Sequence, residues 1–306
     1  MKNFPRVLLC VLLVIAVCSC TEKKKPETSQ LNVMSFNIWM GGGKSVAATA
    51  KVINESGADI VGIQETTAKD KNVGVHIADS LGWNSYTYSR TAVILSKYPI
   101  VDTSTNKRGV KIEIDNTHFV WMFNVHLIHC PYEPYQLNNI EYCGAPFIST
   151  EEEAISSAQA SRGEEVKSVI ADILEVQKEG YPVFLTGDFN EPSCLDWTAR
   201  AVEAGLCKIP VEWPSTKAFM ESAKLKDSYR TKYPDEVSNP GHTWTPLPET
   251  EAYQEVFDRI DFVLFSGDKI ELVDSRLVGE VGEKSDIQFA DYPSDHRAVL
   301  SSFMLK

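Results

Sequence analysis

Apolar and polar positions along this chain follow two rhythms. Leu31-Asn32-Val33-Met34-Ser35-Phe36-Asn37-Ile38 alternates as a strand does, and residues 59–64 form a shorter, more apolar strand. Further strands are predicted over 91–96, 110–114, 119–127, 183–186, 259–265, 270–277 and 298–304. The helical rhythm is clear in two places. One is 45–56, ended by Gly57; the other is 151–178, where Val166, Val169, Ile170, Ile173 and Leu174 share a stripe and Gly180 is the stop. Strands outnumber helices and many are hairpin-like neighbours, so the expected class is α/β, with mixed sheets covered by helices. No repeat and no linker is visible after residue 30, and 31–306 is expected to be one domain.

The start of the chain has a different pattern. Lys2 and Arg6 precede an almost unbroken apolar run from Val7 to Val17. That run falls short of the roughly 20 residues a spanning helix needs. It reads as a secretory signal over residues 1–19. Val17-Cys18-Ser19-Cys20 resembles a bacterial lipobox, with Cys18 in place of the usual small aliphatic residue; Cys20 would be the lipidated N-terminus of the mature chain. Residues 20–30 would then be a flexible tether, with the protein anchored in the bacterial periplasm or at the outer-membrane surface. Plain secretion with cleavage nearby is the alternative.

Composition narrows the function. The 306 residues are 43% hydrophobic and 24% charged, an ordinary globular balance that excludes disordered and collagen-like chains. The net charge of −12 becomes −14 when Lys2 and Arg6 leave with residues 1–19. Such acidity argues against a protein that grips nucleic acid through its phosphates, although a metal ion can supply positive charge locally. Outside the signal region the cysteines are Cys130, Cys143, Cys194 and Cys207, without zinc-ligand spacing. Three pairings are open in an exported protein, and Cys130 with Cys143 is the first to test.

Gly41-Gly42-Gly43-Lys44-Ser45 ends like a phosphate-binding loop, but the required first glycine position is Ile38, so a turn capping the following helix is expected. The informative pattern lies elsewhere. Polar residues recur where apolar strands end: Asn37, Glu65, Asn124 with His126, Asp188 with Asn190, Asp261, and Asp295 with His296. Asn124 and His126 are two apart and share a strand face, as Asp188 and Asn190 would. Carboxylates beside apolar runs are costly unless paired or metal-bound.

Ser35-Phe36-Asn37, Ile63-Gln64-Glu65, Asn124-Val125-His126, Gly187-Asp188-Phe189-Asn190, Arg259-Ile260-Asp261-Phe262 and Ser294-Asp295-His296 occur in the order seen in the endonuclease/exonuclease/phosphatase superfamily. The chain resembles this group, which includes secreted deoxyribonucleases, apurinic endonucleases, inositol polyphosphate phosphatases and neutral sphingomyelinases. The resemblance implies a DNase I-like four-layer α/β sandwich, two mixed β-sheets face to face with helices outside, and a site at one edge. It also implies Glu65 as principal ligand of Mg²⁺ (or Mn²⁺), helped by Asn37, with Asp295 near the metal. Asp188 would orient or deprotonate the attacking water, and Asn190 would hold that water or a phosphate oxygen. His296 would face the phosphate opposite the metal, oriented by Asp261, and His126 would be a second phosphate-facing imidazole. Asn124 and Trp244 are expected on the substrate side. Arg162 would either reach a substrate phosphate or be a solvated helix residue.

His76, His118 and His129 match no motif and are read as surface or packing residues. The aromatic-rich segment 129–150 is either a substrate-facing wall, an interfacial lip or a stapled surface loop. The loops lack dense Lys/Arg runs, and no acidic residue sits just before Arg90, where secreted deoxyribonucleases pair a Glu with a catalytic His. The expected function is therefore exported, Mg²⁺-dependent hydrolysis of a phosphodiester or phosphomonoester in a small molecule or lipid headgroup. The alternatives are a secreted nuclease and a non-catalytic binding lipoprotein on the same fold.

Overall fold

A computed structural model describes residues 30–68, 71–246 and 255–306. The signal segment 1–19, Cys20 and the tether up to residue 29 lie outside the described residues. Among the described residues no helix is long and apolar enough to cross a membrane.

Two sheets carry the fold. In the first, the strand order is Ile287–Phe289, Ile270–Glu280, Ala298–Leu305, Gln30–Asn37, Ile60–Gln64, Ala92–Ser96, Asn84–Thr87. In the second, it is Lys226–Asp227, Asp261–Ser266, Val183–Asp188, Phe119–His126, Gly109–Glu113, Ile100–Thr103. Both are mixed. Gln30–Asn37 runs parallel to Ile60–Gln64 and antiparallel to Ala298–Leu305, while Val183–Asp188 runs parallel to Phe119–His126 and antiparallel to Asp261–Ser266.

The two-residue period explains the layering. Leu31, Val33, Met122, Phe184 and Val263 point between the sheets and form one core. Their sequence neighbours point outward: Met34 and Phe36 pack with Ile53 and Ile77 of the helices Val46–Glu55 and Val73–Leu81. Phe123, Val125 and Leu185 pack with Val166, Val169 and Ile173 of the helix Glu151–Gln177. The order helix, sheet, sheet, helix is the expected four-layer sandwich. Because central strands are buried on both faces, a polar residue there must find partners inside the protein.

Local signals place most element ends. Ser45 Oγ accepts from Ala48 N at 3.3 Å, so the glycine-rich run does cap a helix. Thr150 and Glu153 form a capping box at the start of the long helix. The strands Asn84–Thr87 and Ile100–Thr103, and the helices Val73–Leu81 and Pro214–Ser222, were not predicted. Both strands lie at sheet edges, where one-sided burial leaves little apolar pattern.

Candidate active site

The inter-sheet core turns polar toward one end. Along the inward-facing positions, Leu31 and Val33 give way to Ser35 and Asn37; Val120 and Met122 to Asn124 and His126; Phe184 to Thr186 and Asp188. Strand register then joins the ends. Asp188 pairs directly with His126 on one side and with Asp261 on the other. The site is thus the polar end of the two-sheet core.

Asn37 is its hub. Its Nδ2 donates to Asp188 Oδ2 at 2.8 Å and to Glu65 Oε1 at 3.1 Å, and lies 3.4 Å from His296 Nε2. Its Oδ1 accepts from Trp39 N at 3.0 Å, so Asn37 holds the carboxylates together and turns its oxygen away from them. Glu65 has a positive φ of 57°, just beyond its strand, and Oε2 accepts from Met40 N at 2.7 Å. Asn190, at φ 47°, donates its backbone N–H to Asp188 Oδ1 at 2.8 Å and its side chain to Leu127 O at 3.1 Å.

His296 faces this group. Its Nδ1 is 2.8 Å from Asp261 Oδ2, which leaves Nε2 pointing toward Asp188 at 3.9 Å. Burial alone would lower the imidazole pKa, but Asp261 and Asp188 outweigh it and raise it to about 10. Burial pushes Asp295 up to about 7, and its Oδ1 is buried without a hydrogen-bond partner. His126 Nε2 lies 3.8 Å from Asp188 Oδ2. The Trp244 ring packs on that of His296 with centroids 4.9 Å apart.

These groups open into a cleft of about 960 Å³, lined by Glu65, His126, Asn190, Trp244, Asp295 and His296 among others. One ligand atom each from Glu65, Asp188 and His296 lies within 4.8 Å of the others. Two carboxylates and an imidazole so close together, with the unpartnered Asp295 Oδ1 on the same cleft, fit a hard divalent cation. Glu65 and Asp188 would hold it, with Asp295 close by.

Two expected substrate contacts lie elsewhere. Asn124 is fully buried between the sheets; its amide donates to Ile63 O and Val93 O and accepts from Gln64 and Thr186. It cross-links the sheets behind the site. Arg162 is also buried, donating to Glu133 Oε2 at 2.8 Å and to the carbonyls of Ile128 and Pro131. It clamps the 129–150 segment and reaches neither solvent nor cleft. His129 is exposed, as expected, and also lines the cleft. Cys130 and Cys143 are disulfide-bonded, the pairing put first, while Cys194 and Cys207 are free.

Sequence reasoning missed Glu191, buried one residue beyond Asn190, and the join between Tyr132 and Asp258. Tyr132 Oη donates to Asp258 Oδ2 at 2.6 Å. The only signal for either was an acidic residue beside a site motif, which many surface positions share.

An uncharacterized Caenorhabditis elegans protein, F14F9.5, is 29% identical over 96% of this chain and 98% of its own. The human nocturnin catalytic domain, solved with a bound sulfate anion, superposes with a TM-score of 0.56 at 13% identity, covering 90% of this chain and 95% of that one. Truncated C. elegans TDP2 gives 0.52 at 19% identity, with 90% and 98% covered, and shares the fold. Residues 34–296 match the Endonuclease/Exonuclease/phosphatase family. The chain belongs to that family, and is a metal-dependent hydrolase of phosphate ester bonds with the DNase I-like fold.

Proposed function

We propose that this protein is an exported, lipid-anchored, Mg²⁺-dependent phosphohydrolase that cleaves a phosphoester in a small molecule or lipid headgroup. The observation that carries the chemistry is the register of Asp188 between His126 and Asp261, with Asn37 tying Asp188 to Glu65. Mg²⁺ at Glu65 and Asp188 would withdraw charge from the phosphate oxygens and favour ionisation of water.

The protein's own groups supply the rest. Asp188 accepts from Asn37 on Oδ2 and from Asn190 N–H on Oδ1, and each oxygen keeps a further lone pair with which to bind the ion or to orient a water and receive its proton. His296, held protonated by Asp261 and Asp188, offers an Nε2 proton to a phosphate oxygen or leaving group. His126 supplies a second polar contact, and the Trp244 ring packs at a tilt against that of His296. A phosphate enclosed by these groups would meet water in line.

The walls of the cleft favour a small substrate. No lysine or arginine lines the cleft among the described residues, so a polynucleotide backbone would find little to track. Export and the anchor at Cys20 rest on the lipobox-like segment alone. Turnover of bis-p-nitrophenyl phosphate and p-nitrophenyl phosphate with Mg²⁺ or Mn²⁺, abolished by EDTA, tests the hydrolase. Full activity in Asp188→Ala or His296→Ala would sink the assignment of roles. A panel of sphingomyelin, inositol phosphates, plasmid DNA and RNA tests the substrate class. Palmitate labelling of the wild type and of Cys20→Ala tests the anchor.

A further inference from the structure

Trp39, Met40, Gly41, Gly42 and Gly43 all have positive φ, of 55°, 47°, 79°, 102° and 49°. Glycine takes such angles freely, whereas a tryptophan and a methionine take them at a cost. The five residues form a left-handed turn beside the cleft, closed by Gly43 N–H donating to Trp39 O. Met40 is 72% exposed, so burial of its side chain does not offset that cost. Such strain persists where the surroundings fix it, and it gathers at functional sites.

The turn presents three successive backbone donors to two residues of the site. Trp39 N–H donates to Asn37 Oδ1 at 3.0 Å, Met40 N–H to Glu65 Oε2 at 2.7 Å, and Gly41 N–H to the Glu65 carbonyl at 2.7 Å. Consecutive N–H groups in a turn form a concavity that suits an anionic oxygen. We infer that this turn is a positioning element, which sets the Glu65 carboxylate for the divalent ion. The inference rests on Glu65 as a ligand of that ion. Asn37 Nδ2 holds Oε1 and Met40 N–H holds Oε2, so rotation of the carboxylate would break one of the two bonds. Each oxygen keeps a second lone pair for the ion, and a ligand fixed in this way needs little ordering on binding.

The turn is itself wedged between two loops of the site. A Cβ on Gly41 would come within 2.5 Å of the Ala68 Cβ, in the segment after Glu65, and one on Gly43 would strike the Pro293 carbonyl oxygen. Pro293 precedes Ser294, whose Oγ donates to Asn37 O at 2.6 Å and accepts from His296 N at 3.1 Å. Only glycine leaves room at 41 and 43, and the close packing there holds the Met40 backbone in its left-handed form.

The test pairs Gly41→Ala with Gly57→Ala. Gly57 is also left-handed, at φ 80°, but it has open space around it and does not line the cleft. A loss shared by both variants therefore reports on the backbone penalty alone. In calorimetric titrations of the full chain with Mg²⁺ and no substrate, Gly41→Ala is expected to bind about 10–100-fold more weakly, and Gly57→Ala as the wild type does. Replacing the Met40 amide by an ester, which deletes that one N–H, is expected to cost about tenfold or more. The ester also decides the matter should Gly41→Ala not fold. Wild-type affinity in Gly41→Ala, an equal loss in Gly57→Ala, or wild-type affinity in the ester overturns the inference. A wild type that binds no Mg²⁺ removes Glu65 as ligand and overturns the inference with it. EDTA-sensitive turnover of bis-p-nitrophenyl phosphate is a separate measurement, so the hydrolase reading can stand where the turn has failed.

Discussion

Asp261 Oδ2 lies 2.8 Å from His296 Nδ1, and strand register sets Asp261 directly beside Asp188. One carboxylate therefore orients the imidazole while its neighbour receives the other ring nitrogen's field. In metal-free protein, NMR titration should show His296 still protonated well above neutral pH, since its pKa is raised to about 10. Asp261→Asn should bring it down sharply, because burial then acts with less opposition. The same variant should lose roughly 10²–10⁴-fold in kcat/KM. An unchanged histidine titration would separate the two residues functionally.

Glu65 and Asp188 are expected to link metal binding to stability. A cation that binds only the folded state adds about 2.7 kcal/mol at a hundredfold excess over Kd, or several degrees in Tm for a chain of this size. Scanning calorimetry with and without Mg²⁺ should show that rise, and Glu65→Gln should remove most of it. A variant Tm that responds to Mg²⁺ as the wild type does would place the ion elsewhere.

Asn124 should prove structural. Replacing it by Leu leaves the carbonyls of Ile63 and Val93 and the Gln64 amide short of partners, which should cost about 2–4 kcal/mol in denaturant unfolding. Mg²⁺ affinity measured by calorimetry should stay within a few fold. Gly62→Ala tests the same seam from the other sheet. A Cβ there would sit 2.0 Å from Thr186 Oγ1 and 2.4 Å from Asn124 Oδ1, so the sheets would have to part, at about 3 kcal/mol.

Glu191 predicts a pH dependence of stability. It is fully buried, and burial pushes its carboxyl up to about 7 despite the opposing pull of Arg162. An unfolded glutamate titrates near 4.5, so the folded state holds a proton that the unfolded chain has released. The stabilisation is complete below about pH 4.5 and is lost as pH rises through about 7. Urea unfolding at pH 5 and pH 8 should show a decline, and Glu191→Gln, which imitates the protonated acid, should flatten it by about 2–3 kcal/mol. An identical decline in the variant would assign the effect to other groups.

Much of the fold and site could be read along the chain because both follow from the two-residue period. That period puts Asn37, His126 and Asp188 on the same face as the apolar residues preceding them, and the motif order implied the family and its sandwich. Asn124 shares that face, which is why the pattern places it with the site. Periodicity tells which side a residue points to, not how far along the strand the core ends. At Asn124 the opposite sheet still covers the position; two residues later, at His126, it does not. Arg162 looked solvent-facing on a polar helix, yet the folded 129–150 segment covers it.

The sequence by itself determined the alternation, the capped helices and the chemistry available at each strand end, since those depend on neighbours within a few residues. Only the tertiary structure decided which ends meet. The register that sets Asp188 beside Asp261, the Asn37 amide joining Glu65 to Asp188, and the hydrogen bond from Tyr135 to Glu255 all link residues far apart in the chain. Such contacts form through simultaneous packing of both sheets, and no local pattern encodes a partner that distant.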